Sequence, residues 1–161
     1  MTKLLSYSID GASRFGMLSV DGGGIIDLTA RMPHITIEYS ANVAEHHDID
    51  ELVAAVHEAA LAHGLADVTG LRTRAAERAH YRAMSGDPSF AFVAIHCRIG
   101  PGREQDDKRS FIEQVLDAAE GALDGTPLAI AWSIELTELD PELRINRNHV
   151  RAAMDADKGG A

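Results

Sequence analysis

The chain has 161 residues, of which 45% are hydrophobic, enough for one domain with an appendage and its own core, so wholesale disorder is excluded. Fifteen Lys and Arg stand against 25 Asp and Glu, a formal net charge of −10, which excludes nucleic acid or anionic membrane as the main partner. The single cysteine, Cys97, excludes an internal disulfide and a CxxC metal site; with no apolar run of signal-peptide or bilayer-spanning length, the expectation is a cytoplasmic protein.

Residues 1–31 alternate short apolar segments with glycine turns: "KLLSYSI", "DGAS", "RFGMLSV", "DGGG", "IIDL". The Asp-Gly steps between alternating segments predict hairpins, so this stretch reads as a β-meander. Too small to bury its own apolar face, it is expected either to pack against something else or to stay loose.

After Pro33 the pattern changes. "HITIEYS" places Ile35, Ile37 and Tyr39 on one face of a strand, and "DIDELVAAVHEAALAHG" carries Ile49, Leu52, Val53, Val56 and Ala60 at helical spacing. Asp48 and Glu51 form a capping-box-like start, and Gly64 suits the stop. "LRTRAAERAHYRAM" lacks a clean period and reads as extended, crossing the sheet edge. "FAFVAIHCRIG", residues 90–100, is the near-continuous apolar run of a buried central strand. A Gly-Pro-Gly turn leads to a second amphipathic helix with Phe111, Ile112, Val115, Ala119 and Leu123 inward, and "PLAIAWSIELTEL" supplies a further strand. Aromatics are only 5% of the chain and Trp132 is the sole tryptophan, so the core should be mainly Ala, Leu, Ile and Val.

Strand–helix–strand therefore occurs twice, 57 residues apart from His34 to Ala91. Joined edge to edge, two such units give a two-layer α/β (α+β) domain. It would have a four-stranded mixed sheet with both helices on one face and the other face bare. That face carries apolar residues too and should be covered by another subunit. The expected organisation is an appendage over 1–31, the paired units over 32–154, and a disordered tail over 155–161.

Charge is uneven. Eight of the fifteen basic residues fall between Arg72 and Arg109, against five acids, so this stretch is locally positive inside an acidic chain. A solvated, salt-bridged face is the ordinary explanation for any single arginine there, but a small polyanion would need such a local site. "EHHDIDE", Glu45 to Glu51, offers His46, His47 and acids to a divalent metal, yet at a helix start it reads first as a solvated cap. Cys97 in the buried strand reads as an inert core thiol. His57, His63 and His96 read as packing or surface residues, and "DGGG" lacks the helix and lysine of a phosphate loop.

Four segments, "MPHITIEYSAN", "GLRTR", "FAFVAIHCRIGPGR" and "IELTELDPELRINRNHV", resemble the 5-carboxymethyl-2-hydroxymuconate isomerases of the tautomerase superfamily, from Met32 to about Met154. The resemblance implies a homotrimer of β-α-β repeats, no metal and no organic cofactor. It implies an amino-terminal proline, here Pro33, as proton carrier, with Arg72 and Arg103 binding substrate carboxylates. The implied reaction converts 5-carboxymethyl-2-hydroxymuconate, a tricarboxylate enol of homoprotocatechuate (4-hydroxyphenylacetate) catabolism, to its conjugated keto isomer.

The chemistry of these residue types fits that role. Converting a dienol to an enone takes a proton from oxygen and delivers one to carbon, which a single amine does when its pKa lies near the working pH. An α-amino group begins at about 7.7–8.0; a proline amine is also rigid, so its lone pair has a fixed direction. Guanidinium donates two parallel hydrogen bonds to a carboxylate. Arg103 also follows "GPG" at a helix start, where free N–H groups favour an anion.

Residues 1–31 have a resemblance of their own, to the amino-terminal strands of the fumarylacetoacetate hydrolase family, without its metal-binding catalytic part. Pro33 consequently stands inside the chain as given. If Pro33 becomes the mature terminus, the expectation is a tautomerase; if not, its nitrogen is an amide without useful basicity. The alternatives are a non-catalytic carboxylate-binding or assembly protein of the same fold, and a tautomerase acting on a different enol acid.

Overall fold

The computed structural model describes residues 4–9, 12–18, 25–27, 33–145 and 149–150. Met32, the Asp10-Gly11 and Asp21–Gly24 turns and the expected tail over 155–161 lie outside the described residues.

Alternation decides the main sheet. In β4 (His34–Ser40) Ile35, Ile37 and Tyr39 are buried, as their spacing predicts. In β6 (Phe90–Ile99) the same holds for Ala91, Val93, Ile95, Cys97 and Ile99. The apolar run of β6 therefore has two unlike faces, with one set of side chains fully buried and the intervening set only partly so. β5 (Arg72–Arg78) lies parallel to β4, β4 lies antiparallel to β6, and β7 (Ala129–Glu138) lies parallel to β6, giving the order β5-β4-β6-β7.

Two helices cover one face of this sheet. α1 (Ile49–Ala62) starts where the Asp48 side chain accepts from the Asp50 N–H at 2.8 Å, satisfying one orphan donor of the first turn. It stops before Gly64, whose φ of +80° is the left-handed conformation that glycine adopts without strain. Leu52, Val56 and Ala60 are its buried stripe. α2 (Gln105–Ala122) buries Phe111, Val115 and Ala119, and Leu123 is buried just beyond its end. Side chains join the two helices, where Gln114 Nε2 donates to Ala59 O at 3.1 Å and His63 Nε2 meets Ser110 Oγ at 2.9 Å, and join α1 to β5, where His57 Nδ1 meets Thr73 Oγ1 at 3.0 Å. The resulting core is dominated by Ile, Val, Leu and Ala, with Phe111 as its largest fully buried member.

The amino-terminal segment forms a separate three-stranded antiparallel sheet of β1 (Leu4–Ile9), β2 (Ala12–Leu18) and β3 (Ile25–Asp27), a meander as the glycine turns predict. The fold class read from the sequence, paired β-α-β units plus a meander, is the fold observed.

Candidate functional site

Strand register gathers the site. β4 and β5 begin, and β6 and β7 finish, at one end of the sheet: His34 pairs with Arg72 on one side and with Arg98 on the other, and Arg98 pairs in turn with Thr137. Pro33, immediately before β4, is buried, and its carbonyl accepts the Arg72 N–H at 3.1 Å. Two of the three residues named from the resemblance, Pro33 and Arg72, are thus direct neighbours through backbone pairing.

The Arg72 guanidinium is held in place. Nη1 donates to Gly70 O at 3.2 Å and lies 3.2 Å from His34 Nε2. With both Nη1 hydrogens given acceptors, the Nε–Nη2 edge remains, and that edge is the fork that matches a carboxylate. The contact needs His34 neutral with a bare Nε2. Burial first, and then the positive charges of Arg72, Arg74, Arg144 and Arg98, hold its pKa below the ordinary 6.5, which favours that form.

Arg103 takes a different place. Nη1 donates to Gly100 O at 2.8 Å and to Pro101 O at 3.2 Å, so the guanidinium folds back on the turn that follows β6. It lines a pocket of about 180 Å³ with His63, Gly64, Leu65 and Asp107, between the end of α1 and the start of α2. Because Arg98 pairs with His34, that turn leaves the sheet at the end where Pro33 enters it. Arg72 therefore stands on the strands beside Pro33, and Arg103 on the helix side of the same end. The start of α2 is not an open anion site: Glu104 is its N-cap, and Asp106 and Asp107 already occupy the first turn.

The other basic residues of the positive stretch divide. Arg78 pairs with Glu38, Lys108 with Glu138 at 3.5 Å, and Arg109 with Glu113 at 3.4 Å. Arg98 and Arg144 have no such partner among the described residues. Sequence reading missed Arg144 and counted Arg98 only within the basic stretch; a usable signal was the alternation of β6, which puts Arg98 on the same face as His96 and Phe92. Among the described residues no cluster of three His, Cys, Asp or Glu could hold a metal, and the Glu45–Glu51 segment serves instead as a turn and the α1 cap. Cys97 is buried, with its thiol pKa pushed up to about 12 by desolvation.

The family profile of 5-carboxymethyl-2-hydroxymuconate isomerase matches residues 33–154. A 5-carboxymethyl-2-hydroxymuconate Delta-isomerase of Escherichia coli is 30% identical over 124 residues, covering 75% of this chain and 98% of that protein. The crystal structure of a 5-carboxymethyl-2-hydroxymuconate isomerase from Deinococcus radiodurans R1 superposes with a TM-score of 0.70 at 27% identity, covering 79% of this chain and 97% of the other. A more distant structure, described as a fused 4-OT wild type symmetric trimer, shares the fold at a TM-score of 0.56 and 16% identity, covering 74% and 98% of the two chains.

Proposed function

This chain belongs to the 5-carboxymethyl-2-hydroxymuconate isomerase family and is an isomerase, and from that premise we propose that Pro33, Arg72 and Arg103 carry a proton-transfer reaction on a polycarboxylate enol, with 5-carboxymethyl-2-hydroxymuconate as substrate. The observation that supports this most is the hydrogen bond from the Arg72 N–H to the Pro33 carbonyl, which sets Arg72, with its open carboxylate fork, on the strand next to Pro33. No metal or organic cofactor takes part in the reaction proposed.

In this mechanism the Pro33 amine, as a free terminus, accepts the proton of the 2-hydroxyl and returns one to the carbon that becomes saturated, while the double bonds shift to the conjugated keto isomer. Arg72 binds a carboxylate beside the enol and stabilises negative charge that develops on its oxygen. Arg103 serves a second carboxylate, turned from the helix side of the same end. The bare sheet face and the symmetric trimer described for the fused 4-OT structure support a homotrimer as the working assembly.

Pro33 follows Met32 in this sequence, and as an amide its nitrogen has its lone pair delocalised into the carbonyl. Activity is therefore proposed for a form in which the bond before Pro33 has been cleaved. A variant that begins at Met32, with the methionine excised, should isomerise the dienol at least about 100-fold faster than a chain kept intact from Met1, the lower bound for a positioned acid–base group. Ultraviolet absorbance of the dienol follows the rate, and intact mass defines the terminus. Equal rates from the two forms would show that another group is the base.

A further inference from the structure

Among the described residues, the helix-free face of the sheet ends in positive charges with no acidic partner. Strand pairing places Arg72 and Arg98 on either side of His34, and Arg144 follows β7 back to the same place. Leu139 N–H donates to Ile99 O at 2.8 Å, which fastens the segment leading to Arg144 against the end of β6. Arg72 and Arg98 act electrostatically on both His34 and Arg144, so the three guanidinium groups share one neighbourhood. The Arg78–Glu38 ion pair and the His96–Glu135 contact at 3.7 Å, elsewhere on this face, leave these three arginines unpaired among the described residues.

Gathering three like charges without a counter-ion costs free energy, and a bound anion reverses the sign of that term. Guanidinium forks favour a planar carboxylate, and the fixed Nε–Nη2 edge of Arg72 presents one.

We propose that Arg98 and Arg144, together with Arg72, form a carboxylate subsite on the helix-free face, with His34 as the positioning residue that holds the Arg72 fork. The subsite deepens the isomerase reading and rests on it for its natural ligand: Arg98 and Arg144 would take a further carboxylate of the enol substrate, beside those on the Arg72 and Arg103 forks, and so separate tricarboxylates from dicarboxylates.

Binding tests this without any turnover, so a blocked Pro33 does not affect the result. Tricarballylate, an unreactive tricarboxylate, is titrated calorimetrically into the full chain, with glutarate and inorganic phosphate as comparison arms. The expected result is tighter binding of tricarballylate than of either, weakened at least tenfold by Arg98→Gln and by Arg144→Gln and unchanged by Arg109→Gln. His34→Leu should weaken binding several-fold and His34→Gln, which keeps an acceptor for Arg72, should restore it. Sedimentation of each variant accompanies the titration. Arginine variants that lose self-association yet bind tricarballylate as before would overturn the proposal, because the cluster would then answer acids of a second copy. Phosphate binding as tightly as tricarballylate would overturn it too, as would binding of tricarballylate that neither arginine affects.

Discussion

Protonating His34 would add a charge where Arg72, Arg74, Arg98 and Arg144 already lie, and would remove the acceptor that Arg72 uses. Because the folded pKa is below the unfolded value of 6.5, the unfolded chain binds more protons between the two. The His34 contribution to stability is thus fully present above 6.5 and is lost as the pH falls through the folded value. Melting temperature should drop between about pH 7 and about pH 5, and His34→Gln should flatten that drop; parallel profiles would assign the acid sensitivity to other groups. Cys97 makes a second residue-scale prediction. Its burial and raised pKa leave almost no thiolate, so iodoacetamide should label the native protein only at the rate of unfolding, and rapid labelling of folded protein would contradict this. The roles proposed for Pro33, Arg72 and Arg103 come only from a family resemblance, since no local rule marks an internal proline or a strand-edge arginine. Arg98 and Arg144 were not legible, because their meeting depends on the β4–β6 register and on the return of the chain after β7.

Among the elements, those with a strong period were the readable ones. α1 and α2 show their apolar stripes and their ends in the sequence, from the Asp48 cap to the left-handed Gly64. β5 was only an extended stretch, because "RTRAAER" has no alternation of apolar residues to bury and sits at the sheet edge with mostly intermediate or exposed side chains. The near-continuous apolar run of β6 read as a buried central strand, and in the subunit one side of it is fully covered, by the helices, while the other is only partly so. Phe111 tests how far α2 holds that layer together. It is fully buried and its ring meets His63 edge-on, with centroids 5.5 Å apart. Phe111→Ala should cost about 3–5 kcal/mol in urea unfolding, through lost transfer energy and the cavity left behind. A loss below about 1 kcal/mol would mean that the helix layer closes over the gap.

For the whole molecule, the two sheets carry separate histories of pairing: β1–β3 pair only among themselves, and β4–β7 likewise. The family match begins at residue 33, directly before β4, and β3 ends at Asp27, so a cut at the Met32–Pro33 bond falls outside the matched residues. Cutting there changes an amide into an amine and leaves every pair of the four-stranded sheet intact, which is why the truncation test separates chemistry from folding. The two margins of that sheet are unlike. β5 has four charged side chains among seven residues, whereas β7 has two acids among ten and is longer. Charge discourages an incoming strand and its absence invites one. Any sheet extended by a neighbouring molecule should therefore grow from the β7 margin, and a lysine placed midway along it, in exchange for Ser133, should hinder such growth while the β5 margin needs no guard.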